Sequence, residues 1–408
     1  MPHGRDGARA ARCARVRAHG RDPAPVRRDR SLSFEVPPRH VYVHVPFCAR
    51  RCTYCDFSIA VRRVVPADEY ADAVGAELAV RFPEREPWEA DTLYLGGGTP
   101  SRLGGAGVAR VLDVLRERIT PARGAEITIE ANPEDITADA VRDWRGAGVN
   151  RLSIGSQSFD DRVLAWMHRT HDAAAIVRAV HTARDAGIAN LSLDLIFALP
   201  RELERAWRGD LEQALALDPD HLSLYGLTIE PHTPLGRAHH RGQVRESPDE
   251  RYEEEFLLAH DLLLGAGMEH YEVSNFGKPG RASRHNSAYW SGAPYAGIGP
   301  SAHEFDGAAR RWNTAAYAEW LRRVGDSRDP VESRETLTAE NRLAETVYLG
   351  LRTRAGLGLD ARELHHVEPW IQAGWATLGP DERLRLTPLG WLRLDALAAD
   401  LTHVRSRY

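Results

Sequence analysis

Lysine is nearly absent from this chain of 408 residues: Lys278 is the only one, so arginine carries almost all of the positive charge. The sequence also has no uninterrupted apolar run near the roughly 20 residues needed to cross a bilayer, which excludes an ordinary transmembrane helix. Four cysteines are too few for a disulfide framework in a chain of this length, and their scarcity favours a reducing cytoplasm. With 43% hydrophobic residues, the sequence predicts a globular protein of more than one domain.

The positive charge is concentrated at the start of the chain. Residues 1–40 carry ten arginines and four acidic residues, so their net charge is +6, while the remainder carries −11. The body therefore lacks the basic surface that nucleic acid requires, and we expect no nucleic-acid partner. Residues 1–38 are rich in Arg, Ala, Gly and Pro and show no apolar periodicity. We expect a disordered extension there, with a transit peptide and a nucleic-acid-binding arm as the alternatives.

From Val41 onwards, short apolar strand-like runs alternate with stretches of helical periodicity. The six strand-like runs are VYVHV (41–45), TLYLGG (92–97), ITIEA (127–131), NRLSIG (150–155), NLSLDLIF (190–197) and HLSLY (221–225). Such alternation predicts a parallel sheet covered by helices, and six units are too few for a closed eight-fold barrel. We therefore expect an α/β fold: a partial, open (β/α)6 TIM-like barrel over 39–315, followed by a small, mainly helical, winged-helix-like domain over 316–408.

Three of the four cysteines, Cys48, Cys52 and Cys55, form a C-x3-C-x2-C pattern directly after the first strand. Functional groups in barrel-like α/β folds collect at the C-terminal ends of the strands, so the pattern falls where a site is expected. Three incidental thiols would be unusual at this spacing. A structural zinc ion needs four ligands, and His44 is a nearby candidate for the fourth. A [4Fe–4S] cluster on three thiolates would leave one iron open to a small molecule.

This cysteine spacing, with Tyr54 beside the last ligand, resembles the signature of the radical S-adenosylmethionine (SAM) superfamily. The resemblance implies a [4Fe–4S] cluster whose open iron binds SAM through its amino and carboxylate groups. An electron from the cluster could then cleave the sulfonium bond. GGGTPS (96–101), after the second strand, is similar to the superfamily segment that receives the methionine amino group. Taken alone, that segment indicates only a tight turn or a close backbone approach.

Further polar residues stand at or near the ends of the following strands. Asp194 is the most informative, because a carboxylate inside an apolar strand needs a partner or a function. HVPFCxxxCxYCDF, GGGTPS, EANPE, RLSIGSQSF, HRTH and DLIFALP, in this order, resemble the oxygen-independent coproporphyrinogen oxidase group, which includes HemN oxidases and HemW haem chaperones. The resemblance spans about residues 38–400. Carried over position by position, it implies SAM contacts at Tyr42, Gly98, Thr99, Glu130, Gln157, Arg169 and Asp194.

Two details separate the two branches of that group. The oxidases have one more cysteine, two places after the third cluster ligand, where this chain has Phe57. The segment HNSAYW resembles the haem-binding segment of the chaperones, which implies a haem site at His285, Asn286, Tyr289 and Trp290. Imidazole is a common axial ligand of haem iron, and the two aromatic rings offer apolar faces to a porphyrin. Relatives often carry a cysteine two places before the histidine, where this chain has Ser283.

Together these resemblances imply a cytoplasmic haem chaperone of radical SAM type. It would bind one [4Fe–4S] cluster, SAM and haem as cargo, and would hand haem to respiratory haemoproteins, peripherally at the inner face of the membrane. The alternative is an oxygen-independent coproporphyrinogen III oxidase, which decarboxylates two propionate side chains by radical chemistry. A third alternative, a zinc-dependent nucleic-acid-binding protein, fits neither the acidic body nor the number of cysteines.

Overall fold

The computed structural model describes Phe34 and residues 36–83, 86–200 and 202–407. Most of the expected extension at 1–38 therefore lies outside the described residues. Its last part is described, and there Phe34 is buried in the hydrophobic core. The backbone carbonyl of Pro38 also accepts a hydrogen bond of 3.0 Å from the indole of Trp88. The chain thus joins the barrel several residues before the first strand.

The strands of the described residues range from 2 to 13 residues in length. In chain order they are β1 (His40–Val45), β2 (Phe47–Cys48), β3 (Ala60–Val61), β4 (Trp88–Gly97), β5 (Ile119–Ala131), β6 (Arg151–Gln157), β7 (Asn190–Phe197), β8 (His221–Gly226), β9 (Glu269–Glu272), β10 (Asn275–Gly277), β11 (Tyr295–Ile298), β12 (His303–Phe305), β13 (Ala309–Asn313), β14 (Val331–Thr336), β15 (Leu357–Gly358), β16 (Ala376–Leu378) and β17 (Arg383–Leu386).

Helices separate most of these strands. They are α1 (Ala67–Arg81), α2 (Gly104–Arg116), α3 (Ala138–Gly146), α4 (Asp161–Trp166), α5 (Ala173–Asp185), α6 (Trp207–Ala216), α7 (Pro234–His240), α8 (Asp249–Gly265), α9 (Arg284–Trp290), α10 (Tyr317–Gly325), α11 (Ala339–Arg352), α12 (Ala361–Gln372), α13 (Pro388–Trp391) and α14 (Leu394–Arg405). None of the helices within the described ranges is long and apolar enough to span a membrane.

One large sheet organises the molecule. Its strand order is β14-β13-β12-β11-β1-β4-β5-β6-β7-β8-β10-β9. The six strands from β1 to β8 in this order pair in parallel, so the six strand–helix units and the α/β class are confirmed. The sheet does not close on itself, as expected for a partial barrel. One parallel strand that the sequence did not reveal, β11, pairs with the outer side of β1.

Side chains alternate between the two faces of the parallel strands. On β1, Val41, Val43 and Val45 are fully buried in the hydrophobic core. The even-numbered positions face the barrel interior instead, where the ring of Tyr42 stacks on that of Tyr94 at 6.2 Å. This alternation follows from the two-residue period of a strand. It turns one face of the sheet toward the helices and the other toward a polar interior.

The sheet continues beyond residue 315, because β14 pairs with β13 and extends it to Thr336. The helical part of the C-terminal region begins with α11 and includes a small antiparallel sheet of β15, β17 and β16. A buried ion pair links this region to the barrel: the guanidinium of Arg352 lies 2.7 Å from the carboxylate of Glu272. Arg352 also lies over the ring of Trp290, 4.1 Å from its centroid.

Candidate cofactor-binding site

A cavity of about 330 Å³ opens at the C-terminal ends of the parallel strands. We call this end of the barrel the rim and the cavity the rim cavity. Ligand sites of barrel and open α/β folds lie at this end. The cavity is lined by all three motif cysteines and by six of the seven residues expected to contact SAM. The residues concerned are Cys48, Cys52, Cys55, Gly98, Thr99, Glu130, Gln157, Arg169 and Asp194. The seventh, Tyr42, does not line it and lies deeper in the barrel.

The cysteine loop is held in place by its backbone. Cys48 ends β2, which pairs in parallel with the short strand β3, and its carbonyl accepts a hydrogen bond of 3.0 Å from the Arg62 amide. The Thr53 amide donates to the carbonyl of Met167 at 3.3 Å. The Thr53 carbonyl accepts from the Leu235 amide at 2.8 Å. Because Met167 caps the C-terminus of α4 and Leu235 lies in α7, the loop is fixed from both sides.

The three thiols surround one part of the cavity and form no disulfide. Cys48 Sγ lies 3.3 Å from Thr99 Oγ1, and Arg169 donates to Cys52 Sγ at 3.6 Å. Burial raises the pKa of Cys48, and it raises the pKa of Cys55 to about 11. These thiols therefore keep their protons until a metal displaces them, so binding of iron would release protons.

The donor set fits an iron–sulfur cluster better than a zinc ion. A tetrahedral zinc ion needs its ligands to converge on one point. Among the described residues, no group of three His, Cys, Asp or Glu side chains converges closely enough to hold a single metal ion. The ring of His44 is also engaged elsewhere, since its Nε2 lies 3.1 Å from the Ser58 carbonyl. In a cluster each thiolate binds a different iron, so the thiols need to surround a volume rather than meet.

Close packing against the end of β1 requires glycine at positions 97 and 98. A Cβ atom on Gly98 would lie 2.7 Å from the carbonyl group of Pro46, and its amide donates to the Val45 carbonyl at 2.8 Å. Gly97 has a φ of 111°, and a Cβ there would meet the ring of His44. Only glycine lets the chain turn this closely across the end of β1. The segment thereby brings Thr99 beside Cys48.

Glu130 is a buried carboxylate at the cavity wall. It accepts hydrogen bonds from the Tyr94 hydroxyl at 2.9 Å and from the Gly97 amide at 3.0 Å. Burial raises its pKa to about 7, against the lowering effect of these two donors. Glu130 is therefore poised between its protonated and ionised forms near neutral pH, as expected of a group that awaits a polar or cationic ligand.

Asp194 occupies the interior of β7, and its partners come from neighbouring strands. The Ser153 hydroxyl lies 3.1 Å from each carboxylate oxygen of Asp194. Burial raises the pKa of Asp194, and the serine hydroxyls partly offset that effect. Among the described residues, the hydrogen-bond partners of this carboxylate are neutral serine hydroxyls, and the more distant Arg151 also lowers its pKa. A ligand with hydroxyl or ammonium donors would satisfy it further.

Arg169 joins the thiols to the far side of the cavity. It donates to the Asn132 side chain at 2.6 Å and to the Gly155 carbonyl at 2.8 Å, in addition to Cys52. Gln157 lines the cavity in a left-handed conformation, with a φ of 66°, where the register between β6 and β7 shifts. This shift turns the end of β6 toward the cavity.

Sequence reasoning missed other residues of the lining. Ser153, Asn132 and Tyr225 all face the cavity. Ser153 stands two places after Arg151 on β6, and Tyr225 lies near the end of β8. Both alternate along their strands with buried apolar residues, and this pattern could have identified them as facing the barrel interior. Asn132 directly follows Ala131, the last residue of β5, and its role as an Arg169 partner depends on a contact that no local pattern reveals.

Comparisons with known proteins identify the family of the chain. The Radical SAM superfamily model matches residues 42–214. A protein named heme chaperone HemW, from Mycobacterium tuberculosis (strain ATCC 25618 / H37Rv), is 36% identical over 370 residues, which cover 89% of this chain and 95% of the relative. The chain belongs to the HemW family. Another relative of that name, from Escherichia coli (strain K12), is 41% identical over 270 residues, 66% of this chain and 70% of the relative.

A solved structure supports the fold of this HemW-family chain. Coproporphyrinogen III oxidase (HemN) from Escherichia coli, described as a radical SAM enzyme, superimposes with a TM-score of 0.76. The match covers 89% of each chain at 24% identity. At that identity the likeness shows a shared fold, and it does not decide between oxidase and chaperone.

The HemW-like segment HNSAYW forms α9, away from the cavity. His285 is buried, with Nδ1 2.7 Å from Thr92 Oγ1 and Nε2 2.8 Å from the Tyr289 hydroxyl. Its ring stacks on Tyr94 at 5.0 Å. Burial lowers the pKa of His285 to about 3, so the imidazole is neutral. A neutral imidazole suits a haem ligand, but here both nitrogens already have partners within the barrel.

The other residues of this segment have structural contacts of their own. Ser283, where relatives often carry a cysteine, caps α9 by accepting a hydrogen bond from the Asn286 amide at 3.3 Å. Trp290 lies under the guanidinium of Arg352, and its indole Nε1 is buried without a hydrogen-bond partner among the described residues. The resemblance implied a haem site at these residues, but not that they would lie on a helix packed against the barrel.

Proposed function

We propose that this chain is a haem chaperone of radical SAM type, located in the cytoplasm, that delivers haem to respiratory haemoproteins. Its membership of the HemW family over most of its length carries the proposal. The rim cavity supports the radical SAM part, because it gathers the thiols and the expected SAM contacts in one place. Phe57 supports the chaperone branch, because it stands where the oxidases carry their additional cysteine.

In this proposal Cys48, Cys52 and Cys55 hold a [4Fe–4S] cluster, and SAM binds beside it in the cavity. The cluster, when bound, supplies an electron at an iron that SAM can reach. Thr99 and Arg169 place a hydroxyl and a positive charge beside the sulfur ligands. Both groups would stabilise thiolates over thiols, since donors and cations favour the ionised form.

The SAM contacts divide by charge. Glu130 and Asp194 are acceptors for the hydroxyl and ammonium groups of SAM, and Arg169 is a donor for its carboxylate. Gly98 and Thr99 bring backbone close to the ligand, and Gln157 offers both a donor and an acceptor. Tyr42, whose ring stacks on that of Tyr94 beneath this layer, is the remaining proposed SAM contact.

Haem binding at α9 requires a local rearrangement. Both ring nitrogens of His285 are hydrogen-bonded, one to the Thr92 hydroxyl and the other to the Tyr289 hydroxyl. His285 can therefore ligate iron only if one of these two hydrogen bonds breaks. Tyr289 and Trp290 would then offer aromatic faces, with Asn286 at the exposed side of the helix. The partner proteins are expected to take haem from this segment, at the inner face of the membrane.

A pair of substitutions tests this haem site. His285→Gln removes the imidazole, whereas Tyr289→Phe frees Nε2 and keeps the aromatic ring. If His285 is the axial ligand, His285→Gln changes the Soret band and weakens haem binding, and Tyr289→Phe retains the wild-type spectrum with equal or tighter binding. Unchanged spectra for both variants would place the ligand elsewhere.

Two assays on the same anaerobically reconstituted sample distinguish the haem chaperone function from the oxidase function. Haem-loaded protein is mixed with an apo-cytochrome, and transfer is followed by absorbance. Coproporphyrinogen III, SAM and a reductant are supplied separately, and the products are resolved by chromatography beside an active HemN control. The proposal predicts haem transfer without turnover. Catalytic formation of protoporphyrinogen would make the chain an oxidase despite Phe57.

A further inference from the structure

One arginine inside the barrel has no ionic partner. Arg151, the first residue of β6, is 1% exposed. Its Nε is buried without a hydrogen-bond partner, and among the described residues no carboxylate forms an ion pair with its guanidinium. Other buried arginines are paired: Arg81, Arg205 and Arg352 lie 2.9, 2.8 and 2.7 Å from a carboxylate oxygen. Because an isolated charge is costly to bury, the position of Arg151 calls for an explanation.

The strand register places Arg151 one layer below the carboxylates of the rim cavity. The pairing of β5 with β6 aligns Arg151 with Thr128, and it aligns Ser153, two residues further along β6, with Glu130. Side chains two residues apart on a strand share a face and stand about 7 Å apart. The Ser153 hydroxyl is also the group that contacts Asp194. The charge of Arg151 therefore faces both carboxylates from below.

The ring side chains that face this layer are uncharged near neutral pH. Burial holds the pKa of each buried tyrosine above its usual value and the pKa of each buried histidine below it. These residues come from β4, β8, β9 and α9, and they are Tyr94, Tyr225, Tyr271, Tyr289, His221 and His285. From β1, the Tyr42 hydroxyl meets His44, whose pKa burial lowers to about 4.

One further carboxylate of β5 lies deeper in the barrel. Glu126 accepts hydrogen bonds from the backbone amides of Arg284 and His285, both at 3.1 Å, and is thereby engaged with the start of α9. Among the described residues of the interior, Arg151 is therefore the cation that faces Glu130 and Asp194.

We propose that Arg151 is a positioning residue of the SAM site, whose buried charge keeps the carboxylates of Glu130 and Asp194 ionised and ready to accept hydrogen bonds from SAM. The inference rests on the proposed function, in which both carboxylates contact SAM. Arg151 does not line the rim cavity, so it acts through these two residues rather than by touching the ligand. The carboxylates in turn supply the counter-charge that a buried guanidinium requires.

Coulomb's law gives the expected size of this effect. Unit charges about 7 Å apart, at an effective dielectric constant near 20, shift a pKa by about 1–2 units. Burial raises the pKa of Glu130 to about 7, and Arg151 is among the groups that oppose this rise. Without the charge of Arg151, Glu130 would be protonated at neutral pH and would present no negative charge to the ammonium group of SAM. SAM affinity at pH 7 would then fall roughly tenfold.

Two variants separate the charge of Arg151 from its bulk. Arg151→Met removes the charge and keeps a long side chain, whereas Arg151→Lys keeps the charge. Thr128→Val is the matched control in the same layer, because the buried Thr128 hydroxyl has no hydrogen-bond partner among the described residues and valine has nearly the same shape. Infrared difference spectra recorded without SAM, between about pH 5.5 and 9, follow the protonated carboxyl band that Glu130→Gln removes. Calorimetric titration of the anaerobically reconstituted protein with SAM gives the dissociation constant over the same range.

The proposal predicts that Arg151→Met raises the infrared midpoint by about one pH unit or more and weakens SAM binding roughly tenfold at pH 7. Arg151→Lys and Thr128→Val should keep the wild-type midpoint. An unmoved midpoint in Arg151→Met, or equal shifts in Arg151→Met and Arg151→Lys, would overturn the proposal.

Two further outcomes are decided by the same measurements. If Arg151→Met does not fold, Arg151→Met/Glu130→Gln should fold, because the neutral amide relieves a loss of charge balance but not a loss of packing; a double variant that stays unfolded would refute the charge role. Wild-type protein that shows the infrared midpoint but binds no SAM would refute the proposed SAM site itself. SAM binding with unmoved midpoints would refute the role of Arg151 alone.

Discussion

At the residue scale, we propose that ionisation of Glu130 controls SAM binding. Its pKa is raised to about 7 by burial, so it gains a proton as the pH falls below neutrality. If SAM requires the ionised carboxylate, the dissociation constant should rise about tenfold for each pH unit below 7. Calorimetric titration with SAM between pH 5.5 and about 8 measures this dependence. Glu130→Gln should bind weakly and lose the Glu130-linked part of the dependence; an identical pH profile in the variant would contradict the assignment.

The sequence could identify Glu130 and Asp194 because each is a charged side chain at the end of, or inside, an apolar strand. It could not identify the side chains that form hydrogen bonds with these two carboxylates. The Tyr94 hydroxyl that binds Glu130 and the Ser153 hydroxyl that binds Asp194 come from neighbouring strands. His285 illustrates the same limit, since a motif resemblance implies a ligand but not that Thr92 and Tyr289 occupy both nitrogens.

The junction of β1 and β4 depends on a close backbone approach that a single methyl group would prevent. Gly98→Ala would place a carbon 2.7 Å from the Pro46 carbonyl, which neither strand can avoid without separating. We expect weaker SAM binding and a free energy of unfolding lower by about 1–3 kcal/mol. Gly146→Ala, at the end of α3 with open space around it, is the control and should be neutral or slightly stabilising. Calorimetry and denaturant unfolding measure both; equal behaviour of the two variants would contradict the packing argument.

The six parallel strands were predictable because each is a local apolar run followed by a helical period. β11 was not, because its four residues pair with β1 across more than half of the chain. β14 was not either, since all but two of its six residues are exposed and it lacks the apolar pattern of a buried strand. Strands of this kind are fixed by their neighbours rather than by their own sequence.

At the scale of the whole molecule, the Arg352–Glu272 ion pair is a buried contact between the C-terminal helices and the barrel. Both side chains are almost fully buried. Arg352→Ala would leave the Glu272 carboxylate uncompensated and should lower the free energy of unfolding by about 3–5 kcal/mol. Arg354→Ala is the matched control, because Arg354 pairs with Glu269 at an exposed site and should cost less than about 1 kcal/mol. Urea unfolding distinguishes them, and a similar small loss in both variants would contradict this role.

The central claim is that three cysteines hold a cluster with one iron open to SAM. Electron paramagnetic resonance of the reduced, anaerobically reconstituted protein, recorded with and without SAM, tests it most directly. The account predicts the signal of a reduced [4Fe–4S] cluster whose g values shift when SAM is added, and loss of that signal in a Cys52→Ala variant. A cluster signal that SAM leaves unchanged, or a sample that contains zinc and no iron or sulfide, would contradict the account.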